Sequence, residues 1–106
     1  MLPGRCLLIL TALLLGVMAV PAQAATIQIT IDNLVFAPTE VSAKVGDTIE
    51  WINKDVFVHT ATARNGDFDV TMPPKKTVTS VLKKAGSVEY YCRFHPNMKA
   101  VLMIAP

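Results

Sequence analysis

Cysteine is nearly absent. The 106-residue chain has two, and one of them, Cys6, lies in the leading apolar segment. Beyond that segment the chain holds a single thiol, Cys92, and can form no internal disulfide, although small exported domains often depend on them. Aromatic residues are scarce at 7%, with one tryptophan, Trp51, as the natural core anchor. An excess of one charge is missing too. Arg5 is the only charged residue before position 25, and the rest carries nine basic and eight acidic side chains. That balance leaves no basic footprint and excludes nucleic acid as the main partner. No segment longer than about ten residues shows helical periodicity, and there is neither an internal repeat nor a low-complexity tract.

The apolar residues are unevenly spread. Seventeen of the first 24 residues are apolar, against about 46% of the remaining 82. The second figure is ordinary for a globular domain, and with charges and β-branched residues interspersed it excludes disorder. The first segment reads as an address. Arg5 precedes an uncharged, mostly apolar run from Leu7 to Val20, and then come Pro21 and Ala22-Gln23-Ala24. This is the order of a secretory signal peptide, with a small-x-small cleavage site. A run of about 14 residues falls short of the about 20 that a membrane span needs, so a retained anchor is the weaker alternative. The expectation is a signal peptide over 1–24 and one domain over 25–106, exported and free of the membrane once processed. Cys6 precedes the apolar run instead of ending it, so it is no lipid-attachment site and leaves with the signal.

The rest reads as short strands between turns. Ile27, Ile29 and Ile31 alternate with polar residues, as do Val41, Ala43 and Val45. Further strands are expected over Thr48–Asn53, with Ile49, Trp51 and Asn53 on one face, and over Val56–Thr62, Thr77–Leu82, Ser87–Cys92 and Lys99–Ile104. Phe36-Ala37-Pro38 reads as a bend, and 63–75 as the least regular stretch. Seven or eight strands at this spacing predict an all-β fold, either a two-sheet sandwich or a small barrel.

A lone cysteine in an oxidising compartment is a liability unless it pairs between chains, is buried or binds a metal. Its neighbours favour the metal. Tyr91-Cys92-Arg93-Phe94-His95-Pro96-Asn97-Met98 contains Cys-x-x-His-x-x-Met between two strands, and only one other histidine, His59, occurs. Alone, each of these residues has a bland explanation. Together they supply one thiolate, two imidazoles and one thioether, a set that suits copper cycling between Cu(I) and Cu(II). Zinc more usually takes four strong ligands. A c-type haem needs Cys-x-x-Cys-His, a binuclear copper centre a second cysteine, and an iron–sulfur cluster more thiolates. A Cys/His nucleophilic enzyme would need an orienting group and an oxyanion hole, and nothing proposes either.

The chain resembles the cupredoxins, the type 1 blue copper proteins: the amicyanins most, plastocyanins and pseudoazurins less. The matching residues are Phe36-Ala-Pro-Thr-Glu-Val41, Val45-Gly-Asp-Thr-Ile-Glu-Trp-Ile-Asn53, His59, and Gly86-Ser-Val-Glu-Tyr-Tyr-Cys92 through Met98. The two-residue gaps on both sides of His95 are similar to the short amicyanin ligand loop. The resemblance implies a small two-sheet Greek-key β-sandwich, His59, Cys92 and His95 as equatorial ligands of one copper ion, Met98 as the axial ligand, and a periplasmic electron shuttle that is not an enzyme. It also implies His95 as the electron port, inside an apolar patch for which Leu34, Phe57, Val58, Met72, Pro73, Phe94 and Pro96 are the candidates. Lys75, Lys76, Lys83, Lys84, Arg93 and Lys99 are placed to steer an acidic partner or to protect strand edges.

Two departures stand out. Thr60 comes directly after the first histidine where these families usually have Asn, which ties the ligand loops together; a hydroxyl can make some of those bonds, and Asn53 and loop N–H groups are further tuning candidates. The long N-terminal extension of the amicyanins is missing, so partnership with an amine dehydrogenase is not implied. The expected partners are a redox donor and acceptor, with a c-type cytochrome or a dehydrogenase as candidates, met by a monomer. The competing function is a copper carrier or buffer, in which redox is incidental.

Overall fold

A computed structural model describes residues 23–106. The expected signal peptide lies, apart from Gln23 and Ala24, outside the described residues. Nine strands form: β1 Thr26–Asp32, β2 Val35–Ala37, β3 Glu40–Lys44, β4 Thr48–Asn53, β5 His59–Ala63, β6 Asp69–Met72, β7 Thr77–Val81, β8 Gly86–Tyr91 and β9 Lys99–Ala105. They make two sheets, one ordered β2-β1-β4-β7 and the other β3-β9-β8-β5-β6. The pairs β1–β4 and β3–β9 are parallel and all others antiparallel. The parallel pairs arise because the chain leaves one sheet, crosses to the other and returns, as the expected sandwich requires.

Strand alternation decides what is buried. Ile29, Ile31, Ile49 and Trp51 point inward from one sheet, and Val88, Tyr90, Leu102 and Ile104 from the other. Trp51 is the anchor, with the Tyr90 ring 5.3 Å from it at 79° and Phe36 beyond. Edge-to-face contacts of this kind add to plain area burial. The Trp51 indole N–H donates to Ser80 Oγ at 2.9 Å. Burial drives the Tyr90 hydroxyl pKa well up, and that hydroxyl has no hydrogen-bond partner among the described residues.

The strand count exceeds the expected seven or eight, for local reasons. Phe36 stands in a strand and not merely in a bend: β1 and β2 form a hairpin whose two-residue turn is Asn33-Leu34, at φ 52° and 64°. That turn type needs positive φ at both positions, and without glycine it leaves little trace in a sequence. The irregular stretch 63–75 contains β6, paired with β5. The strand expected from Val56 begins only at His59, and the exposed Val56, Phe57 and Val58 belong to no strand. Among the described residues, no helix is long and apolar enough to cross a membrane.

Candidate metal centre

At one end of the sandwich β4 ends at Asn53, β8 ends at Tyr91, and β5 and β9 begin at His59 and Lys99. This junction gathers the donors. Cys92 and His59 are fully buried, and His95 is half-buried at the rim. Cys92 Sγ lies 3.7 Å from His59 Nδ1 and 3.7 Å from His95 Nδ1, and all three atoms fall within 4.8 Å of one another.

The spacing of the motif arises from the loop backbone. His95 N–H donates to Cys92 O at 3.3 Å and Met98 N–H donates to His95 O at 2.8 Å, so two successive four-residue turns cover 92–98. Cys92 N–H closes the loop on Met98 O at 3.0 Å. Each turn advances three residues, which is why the donor residues recur at that interval. Met98 is buried beneath the loop.

His59 is held differently. Its Nε2–H donates to Asp55 Oδ2 at 2.8 Å, which leaves the Nδ1 lone pair facing the sulfur. The same carboxylate accepts from Asn33 N–H at 2.7 Å and from Leu34 N–H at 3.0 Å. Burial works to raise the Asp55 pKa. Hydrogen bonds from Leu34 N–H, His59 and Asn33 N–H outweigh it and hold the group below the usual 3.8. Asp55 therefore stays ionised at neutral pH and fixes the orientation of the ring. It also clamps a turn in which Leu34 is held at positive φ, a conformation that costs a non-glycine residue about 1–2 kcal/mol.

Asn53 is buried and locks the segment that carries His59. Its amide donates to Phe57 O at 2.9 Å, Met72 O at 3.2 Å and Pro73 O at 3.1 Å, and its Oδ1 accepts from Asp55 N–H at 3.0 Å. Thr60 makes the tie expected of it: its Oγ1 accepts from Arg93 N–H at 2.9 Å, and its own N–H donates to Cys92 Sγ at 3.3 Å. Asp55 is the residue that sequence reasoning missed. It reads as a plain turn residue, and only its spacing of four from His59 hints at more.

The rim is apolar. Phe57 and Phe94 are each 52% exposed, and Leu34, Val58, Pro73 and Pro96 are exposed as well. The Phe57 ring lies 5.9 Å from that of His95, and a shallow depression is lined by Leu34, Phe94, His95 and Pro96. Met72 does not belong to this patch. It pairs with His59 across the β5–β6 ladder and is fully buried. Lys83 and Lys84 come after the end of β7 that pairs with Thr48, at the opposite end of the sandwich from His95.

The donors fit a metal by geometry and by chemistry. A thiolate and an imidazole bound trigonally to one ion, at bond lengths of about 2.3 and 2.0 Å, stand about 3.7 Å apart. Both observed sulfur–nitrogen separations have that value. No carboxylate joins the group, and one soft thiolate with two imidazoles suits copper better than a hard cation.

The sequence model of the cupredoxin-like domain matches residues 5–104. Methylamine utilization protein MauL of Methylorubrum extorquens is 32% identical over 95% of this chain and 92% of its own length. Amicyanin of Paracoccus versutus is 29% identical over 80% of this chain and 67% of its own. The crystal structure of P. versutus amicyanin superposes with a TM-score of 0.64 at 27% identity, covering 80% of this chain and 84% of that one. With its two sheets, its convergent His59, Cys92 and His95 and these relatives, the chain belongs to the cupredoxin family.

Proposed function

We propose that the protein is an exported, periplasmic blue copper protein that carries single electrons between redox partners and catalyses no reaction of its own. The convergence of His59 Nδ1, Cys92 Sγ and His95 Nδ1 carries this reading. In it these three would hold one copper ion, with Met98 as a fourth, weaker donor. Copper held there supplies a one-electron Cu(II)/Cu(I) couple.

The chain's own residues do the rest. Cys92 Sγ, which would bind the metal as a thiolate, accepts the Thr60 N–H. Asp55 fixes the His59 tautomer, and Thr60 ties the loop of Cys92 to the strand of His59. Donors fixed by a folded frame move little between oxidation states, which keeps reorganisation small. The half-buried His95, ringed by Leu34, Phe57, Phe94 and Pro96, gives electrons a short way out. It lies in an apolar surface suited to brief, small-area encounters. A c-type cytochrome or a dehydrogenase is the class of partner that fits. The name of MauL, which ties that relative to methylamine utilization, brings an amine-oxidising dehydrogenase back among the candidates.

Copper titration of the purified protein, monitored by optical spectroscopy and voltammetry, tests the reading. One equivalent should produce an intense thiolate-to-copper charge-transfer band and a reversible one-electron wave. A colourless protein that passes Cu(I) to an acceptor would replace the shuttle by a copper carrier.

A further inference from the structure

The far end of the sandwich holds a buried carboxylate that the metal centre does not use. Asp47 closes the turn between β3 and β4 and is 2% exposed. Its Oδ1 accepts from Ala25 N–H at 2.8 Å and its Oδ2 from Lys44 N–H at 3.0 Å, while Lys44 Nζ stands 3.6 Å away. The Ala25 and Lys44 N–H groups, in that order, hold its pKa below the usual 3.8 against the opposing effect of burial, so it is charged at neutral pH. Its backbone is committed as well: Asp47 N–H donates to Lys44 O at 3.0 Å, and Asp47 O accepts from Leu82 N–H at 2.8 Å.

The sandwich begins abruptly beside this carboxylate. Gln23 and Ala24 are exposed and belong to no strand, whereas Ala25 O already accepts from Thr48 N–H at 2.9 Å, and Thr26 is the first ladder residue of β1. The start of the β1 ladder therefore lies next to the bond that ends Ala22-Gln23-Ala24.

We propose that Asp47 is the receptor for a new amino terminus, made when a signal-peptidase-type hydrolase cleaves the Ala24–Ala25 bond. The inference rests on the export reading. In the cleavage one water adds across the peptide bond: the C–N bond breaks, the Ala24 carbonyl carbon gains the oxygen and becomes a carboxylate, and Ala25 nitrogen becomes an ammonium. The nitrogen already 2.8 Å from Asp47 Oδ1 thereby turns from a neutral donor into a cation, and a hydrogen bond to an ionised carboxylate becomes a hydrogen-bonded ion pair. Cleavage also frees Lys44. Its ammonium donates to Gln23 O at 3.2 Å, a partner that departs with the leader. Processing thus leaves two cations on one buried anion and fastens β1 to the turn between β3 and β4.

The test uses the full chain exported under its own leader. Intact mass should place the new terminus at Ala25, and any other start overturns the proposal. A Gly-Ser pair inserted between Ala24 and Ala25 keeps the cleavage site but returns Ala25 nitrogen to an amide. The insertion should lower Tm by roughly 4–8 °C in the natural background and cost nothing further in an Asp47→Asn background. An equal loss in both backgrounds, or none in the first, overturns it. Should Asp47→Asn not fold, acylation of the Ala25 amine in the unmutated protein decides. The reaction should run several-fold slower in the folded than in the urea-unfolded protein, and equal rates refute the pairing. Correct cleavage without this coupling defeats the receptor alone, whereas an uncleaved, unexported chain defeats the export reading.

Discussion

Residues 92–98 and residues 53–60 bring donors to the same point by different means. The 92–98 loop uses its backbone: two consecutive turns and one closing hydrogen bond place Cys92, His95 and Met98 at fixed intervals. The 53–60 segment uses buried side chains. Asn53 binds three carbonyls, Asp55 binds His59 and the Asn33-Leu34 turn, and Thr60 reaches across to Arg93 and Cys92. A backbone loop tolerates changes at its intervening positions. A net of side chains does not, because each member that is removed strands buried partners.

Substitutions probe that contrast directly. Cys92→Ser should give the largest effect, complete loss of the charge-transfer band after copper loading. A surviving band would remove the thiolate from the site. Asn53→Ala should come next, destabilising the metal-free protein by about 2–3 kcal/mol in urea unfolding, since several buried groups lose their partners at once. A cost below about 0.5 kcal/mol would show that the segment does not depend on its side chains. Thr60→Val keeps the shape but leaves Arg93 N–H without its acceptor, and should cost about 1–2 kcal/mol and shift the reduction potential. Thr60→Ser should restore both, and a potential that ignores the hydroxyl would break the tie between the two segments. Tyr90→Phe, outside both segments, should change stability by less than about 0.5 kcal/mol, because the hydroxyl it removes has no partner among the described residues.

The same contrast governs what the sequence reveals. The intervals of Cys92, His95 and Met98 are visible because local turns create them. Ile49, Trp51 and Asn53 are visible as an inward face because strand alternation is local too. The role of Asp55 is hidden and that of Asn53 only partly legible, since both depend on carbonyls and amides brought near by folding. The Asn33-Leu34 hairpin is hidden because a distant carboxylate, and not a glycine, secures its positive φ values. Residues 56–58 have strand-like composition. Yet they are exposed and belong to no strand: Asn53 captures Phe57 O before the chain pairs again at His59. An apolar residue such as Met72 suits an exposed patch and the core alike, and its pairing opposite His59 turns it inward.

X-ray absorption at the copper edge of the loaded protein tests the central claim most directly. The account predicts one sulfur and two nitrogen scatterers at bonding distance around a single copper ion. A spectrum without a sulfur shell, or one that reports copper held only by nitrogen and oxygen, would contradict it.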